Sequence, residues 1–228
     1  MKFSIRANMA RRNGLINKTK VSKGFTLIEL VIVVVILGFL AVTAIPKFLD
    51  LTDQAKQANI EGMAGGFATG ISLARAQWEA EGRPKDTSDR NSVNYDGTVV
   101  LLTTEATDIR PGYVVGLPAS GGAGLQGGFT VDNCVEIWQN ILQQPPTLTS
   151  ALTGVNGING VNGDSINYFV GKSTATGTDT LCHYYLKETL DRDPTTGDYD
   201  DPLNDTDIGN SFTYQPAKSL VSVYVNNQ

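Results

Sequence analysis

No acidic residue precedes Glu29, histidine occurs once in 228 residues and cysteine only twice. The scarcity argues against catalysis. The one histidine, His183, stands beside Cys182 in a strand-like run. A Cys–His nucleophile would also need an orienting third group, and none is evident. No glycine-rich phosphate loop follows a strand, and the Asn-Gly repeat of 154–163 lacks the Lys and Ser/Thr of a P-loop. An enzyme is not expected. The missing acids are as informative. Seven basic residues (Lys2, Arg6, Arg11, Arg12, Lys18, Lys20, Lys23) precede Phe25 unopposed. A basic flank beside an apolar segment is held in the cytoplasm. The remainder carries 11 Lys/Arg against 23 Asp/Glu, a net of −12. Such a surface stays soluble on export and gives no support to nucleic-acid binding.

What the sequence does have is a long apolar run, residues 25–45. As a helix it would span about 31 Å, close to the thickness of a hydrocarbon core. A secretory signal would have a shorter apolar region ending in an Ala-x-Ala-like site, which Ala41 to Ala44 imitate only weakly. The run also contains an ionisable residue, Glu29, five positions in. A carboxylate inside a membrane helix costs about 2.5–3.5 kcal/mol, so a partner that removes the cost is expected. The length of 228 residues suits one globular domain in addition to this segment.

Lys23-Gly24-Phe25-Thr26-Leu27-Ile28-Glu29-Leu30 resembles the prepilin peptidase motif of type IV pilins and type II secretion pseudopilins. The resemblance implies a cleaved leader, 1–24, with cleavage after Gly24 and N-methylation of Phe25. It implies that Glu29 pairs with the Phe25 amine of a neighbouring subunit, fixing axial register, since breaking a buried pair costs several kcal/mol. The implied partners are other pilin subunits, the prepilin peptidase, the assembly platform of the inner membrane and the membrane itself. The implied locations are the inner membrane as a single-pass precursor and then the extracellular fimbrium. Met9 is an alternative start to Met1. The segment Glu61 to Gly70, followed by Ala74 to Glu81, looks like pilins of the mannose-sensitive haemagglutinin (MSHA) type, which implies surface attachment. The alternative is a pseudopilin of a periplasmic secretion piston.

The anchor helix is expected over 25–46. Pro46 should kink or locally open it, and Gly38 weakens the same stretch. By resemblance, 38–46 loses helical order on assembly. An amphipathic helix is expected over 47–83, because Ile60, Met63, Phe67, Ile71, Ala74 and Trp78 recur at steps of three and four. Gly62, Gly65, Gly66 and Gly70 are unfavourable in a helix by about 1 kcal/mol each, and close approach of a sheet or helix would explain them. A β-rich head is expected over 84–228, with strands near 99–102, 113–115, 168–170, 181–190 and 220–225 and a short helix over 134–142. The Asn-Gly repeat reads as a flexible surface loop. The whole is an α+β layout, the pilin architecture of a long N-terminal helix on a small antiparallel sheet.

Two cysteines in an exported chain suggest a Cys134–Cys182 disulfide, and pilins commonly close a C-terminal region this way; two buried thiols are the other reading. Asp191, Asp193, Asp198, Asp200 and Asp201 form a run of hard oxygen ligands. It fails the EF-hand pattern, because its Gly falls one place late and Pro202 stands where the bidentate Glu belongs. A solvated acidic loop is the ordinary reading. Calcium, which certain pseudopilins bind, is the alternative, and no other cofactor is expected.

Overall fold

The computed structural model describes residues 24–122, 124–125 and 128–226. The leader expected over 1–24 lies outside these apart from Gly24, as does Met9. The chain divides into two compact units at Lys47/Phe48, and helix α1 (Leu27–Ala80) contributes to both.

In the first unit, α1 is exposed on every side, its large apolar residues from Phe25 to Ile45 being 48–87% accessible. It is the one helix among the described residues long and apolar enough to cross a membrane. The local opening expected at Pro46 does not occur, because helix is continuous through Gly38 and Pro46. Proline removes a single N–H, that which would serve the Val42 carbonyl, and regular turns on both sides carry the helix across the gap.

The second unit holds the core. The six-residue stripe read from the sequence faces inward. Ile60, Phe67, Ile71, Ala74 and Trp78 are buried, and Met63 is half-buried. After α1 come β1 (Ser92–Tyr95), β2 (Thr98–Leu102) and β3 (Val114–Gly116), which form one antiparallel sheet. Asp96 and Gly97 both take positive φ, 48° and 86°, the paired left-handed turn that matches strand twist in a two-residue hairpin. Helix α2 (Val131–Ile141) follows, then β4 (Leu148–Thr149), β5 (Tyr168–Lys172), β6 (Cys182–Leu186), β7 (Ser211–Gln215) and β8 (Leu220–Tyr224). These five strands pair in chain order. All are antiparallel except β4 with β5, so the sheet is mixed rather than purely antiparallel.

Phe67 lies at the centre, its ring 5.3–5.4 Å from those of Tyr184, Phe212 and Tyr214. Two fully buried tyrosine hydroxyls in this core find backbone acceptors. Tyr214 donates to the Val114 carbonyl (3.0 Å), tying the second sheet to the first, and Tyr184 donates to the Cys134 carbonyl (2.8 Å). Of the four helical glycines, only Gly70 meets its own chain closely. A Cβ there would fall 2.4 Å from Ile141 Cγ2. Positions 62, 65 and 66 have nothing within 4 Å, so packing within this chain does not account for them.

The Asn-Gly repeat is not a loose loop. Ile158 is buried with Phe169, Tyr185 and Leu190 in a small second core. Backbone N–H groups of Gly157, Gly160 and Gly163 donate to the carbonyls of Gly154, Gly157 and Gly160 at 3.1, 2.9 and 2.9 Å. The three-residue sequence period is thus a period of stacked turns.

Candidate assembly site

Gly24 and Phe25 are exposed at the start of α1. Thr26 and Glu29 then close the helix end reciprocally. The Thr26 N–H and hydroxyl both donate to Glu29 Oε2 at 2.8 Å, and the Glu29 N–H donates to Thr26 Oγ1 at 3.3 Å. This is a capping box, and the Thr-x-x-Glu spacing that signals it is present in the sequence at 26–29. The carboxylate therefore satisfies an orphan helix donor in its own chain, which offsets part of the cost of carrying it in an apolar segment.

On the second unit, the face of α1 turned away from the sheets presents Ala58, Gly62, Gly65, Thr69, Ser72 and Ala76, all exposed. The Thr69 and Ser72 hydroxyls donate at 2.8 Å to the carbonyls of Gly65 and Ala68 on the same helix. What remains is a smooth strip of small groups with its polar atoms already paired. Such a strip lets another helix approach closely.

Cys134 on α2 and Cys182 at the start of β6 are joined, with Cα atoms 5.6 Å apart and a sequence separation of 48. Both are fully buried, so the bond pins α2 to the centre of the five-stranded sheet. His183, the next residue, faces the opposite side. Its Nε2 has no partner and its Nδ1 stands 3.5 Å from the Tyr185 hydroxyl. Burial pushes its pKa down to about 4. With Cys182 committed to sulfur, no nucleophile pair exists at this position.

The acidic run is not gathered around a point. Asp193 Oδ1 accepts from the N–H groups of Thr195 (2.7 Å) and Thr196 (2.9 Å), while Asp201 Oδ1 accepts from Leu203 N–H (2.9 Å). Those bonds, that from Thr196 first, hold the Asp193 pKa below the usual carboxylate range. Among the described residues no three His, Cys, Asp or Glu side chains converge to hold a metal ion. The carboxylates instead shape a hairpin, in which the Arg192 guanidinium lies 3.9 Å over the Tyr199 ring.

The family described as "Prokaryotic N-terminal methylation motif" matches residues 19–45, which include Gly24, Phe25 and the capping box. Among curated proteins, the chain is 47% identical over 76 residues to the type IV narrow pilus major component PilA5 of Thermus thermophilus, covering 33% of this chain and 62% of that one. It is 41% identical over 66 residues to a fimbrial protein of Moraxella nonliquefaciens, 29% of this chain and 43% of that one. A fimbrial protein of Pseudomonas aeruginosa is 33% identical over 106 residues, 37% of this chain and 69% of its own. The chain belongs to the type IV pilin family. It spans less than two thirds of the length of the first two relatives. No solved structure matches. In this pilin the matched family range takes in the exposed, apolar start of α1.

Proposed function

We propose that the chain is a structural subunit of an extracellular type IV pilus. The leader is removed after Gly24, Phe25 is methylated, and the membrane helix becomes the core of the filament. The observation that carries this reading is the first unit: an apolar helix exposed on every side, opened by the methylation motif. Such a surface needs lipid before assembly and like helices afterwards. In the filament Glu29 would release Thr26 and accept the Phe25 amine of a neighbour, trading two hydrogen bonds from neutral donors for one from a cation. The strip of small residues on α1 supports close helix packing in the same polymer. Loss of helix between Gly38 and Pro46 belongs to the assembled state on this reading.

The finer reading is an MSHA-like pilus used for surface attachment, supported by the sequence of 61–70 and 74–81. Among the described residues no convergent carboxylate set supports the calcium-bearing pseudopilin alternative. Mass spectrometry of sheared surface fibres tests the proposal. The expected result is an abundant chain beginning at methylated Phe25. A surface protein beginning elsewhere, or absence of the chain from fibres, overturns it.

A further inference from the structure

The three Asn-Gly pairs at 156–157, 159–160 and 162–163 have no part in the filament reading, yet the fold makes them chemically unequal. Glycine is required at the second position of each. A Cβ on Gly157, Gly160 or Gly163 would fall 2.3, 1.7 or 2.2 Å from the carbonyl oxygens of Thr153, Gly154 or Ile158. The same absence of a side chain removes the steric barrier between each glycine nitrogen and the preceding asparagine carboxamide, and all three N–H groups carry the same kind of backbone bond, so that bond does not distinguish the sites. The stacked turns thus demand the dipeptide most prone to form a cyclic imide.

We propose that Asn156 is a site of spontaneous deamidation and that Asn159 is held out of the reaction by the acidic hairpin. The Gly157 nitrogen gives up its proton to solvent base and bonds to Asn156 Cγ. The tetrahedral centre collapses and expels Nδ2, which leaves as ammonia with a proton from water. Water then adds to either carbonyl of the imide, opening it to aspartate or isoaspartate. Nothing is oxidised or reduced. Two features favour this step at Asn156. Its Oδ1 accepts a hydrogen bond from Asn162 Nδ2 at 2.8 Å, a donor placed where negative charge develops. Its residue is exposed, and so is the preceding Val155, so the backbone can adjust.

Asn159 also has a donor on its Oδ1, but it differs at its leaving nitrogen and in its burial. Its Nδ2 donates to the Tyr199 carbonyl at 2.8 Å and its Oδ1 accepts the Tyr199 N–H at 2.7 Å, so both ends of the amide are committed to one residue. The preceding Ile158 is buried and fixes the backbone. Expelling Nδ2 from Asn159 breaks its bond to the Tyr199 carbonyl. Asn162 is intermediate, exposed but with its leaving nitrogen tied to Asn156. The products differ too. An aspartate at 156 still accepts from Asn162, whereas one at 159 would set a carboxylate against the Tyr199 carbonyl and free the hairpin. Conversion at 156 also places a negative charge in a groove of about 440 Å³ whose lining, including Trp138, Gln139, Asn156 and Asn162, is otherwise uncharged.

The test is incubation of the purified full chain in mildly alkaline buffer made with heavy-oxygen water, followed by site-resolved mass spectrometry, with the reduced and denatured chain beside it. In the folded chain Asn156 should convert about tenfold faster than Asn159, the effect of roughly one net hydrogen bond, while in the denatured chain the three sites converge. Asn162→Ala should slow Asn156 several-fold. Equal folded rates at 156 and 159, or an Asn156 rate unchanged in Asn162→Ala, overturn the proposal.

Discussion

At the scale of single residues, Phe67 and His183 are opposites. Phe67 was legible, because its place in a three-and-four spacing marks it as core before any contact is known. Its ring meets four other aromatic rings within 6.4 Å. Phe67→Ala should cost about 3–5 kcal/mol of stability, read from the denaturant midpoint of the detergent-solubilised chain. A cost under about 1 kcal/mol would contradict its central position. His183 was not legible in this sense. The sequence offers it as half of a Cys–His pair, and only strand pairing reveals that the ring points away from Cys182 into a site without a partner for Nε2. Its folded pKa of about 4 lies below the unfolded value of about 6.5. Above pH 6.5 neither state is protonated there and the residue contributes no pH dependence. As pH falls from about 6.5 to about 4 the unfolded chain takes up a proton that the folded chain refuses, and stability drops by up to about 3 kcal/mol. Comparison with His183→Gln isolates this loss from the carboxylates that titrate in the same range. Identical slopes for the two proteins would remove the claim.

At the scale of elements, long periodic segments and turn-bounded apolar runs were readable, and short polar ones were not. Helix α1 and strands β2, β3, β5 and β8 fall where periodicity and turn residues put them. Strands β1 and β7, with sequences Ser-Val-Asn-Tyr and Ser-Phe-Thr-Tyr-Gln, have polar alternation too short to stand out from loop. Pairing in the sheet, not propensity, makes them strands. The Asn-Gly repeat was misread for a related reason: composition says loop, whereas order comes from one buried isoleucine and the Tyr199 backbone on Asn159. The disulfide acts at this scale, since it joins α2 to β6. Closing roughly 49 residues restricts the unfolded chain by about 4 kcal/mol. Cys134→Ser/Cys182→Ser should lose that order of stability, measured by urea unfolding. A double variant as stable as the parent would show that the bond adds nothing beyond contacts already present.

For the whole molecule, the decisive distinction is between surfaces that serve the fold and surfaces that wait for another copy. The processing motif was the most legible part of the candidate site, because basic edge, glycine, phenylalanine and glutamate lie in one short stretch. The Thr-x-x-Glu spacing at 26–29 also signals the cap that Thr26 and Glu29 form, whereas the strip of small residues on α1 emerges only with coordinates, since it depends on which face is left bare. That strip can be tested apart from folding. Gly62 and Gly65 have nothing of their own chain within 4 Å of an added Cβ. Gly62→Leu and Gly65→Leu should therefore keep or slightly raise the stability of the single chain, leucine being the better helix former by somewhat under 1 kcal/mol. In the cell the same variants should still be processed at Gly24 yet give several-fold fewer surface fibres, because two bulky side chains now separate helices that need to approach. Glu29→Val is the complementary probe, with processing retained and fibre yield collapsed for want of a carboxylate to meet the neighbouring amine. Fibres at normal yield from the leucine variants would assign the small face to some use other than helix packing, and normal fibres from Glu29→Val would remove the amine pairing from the filament model.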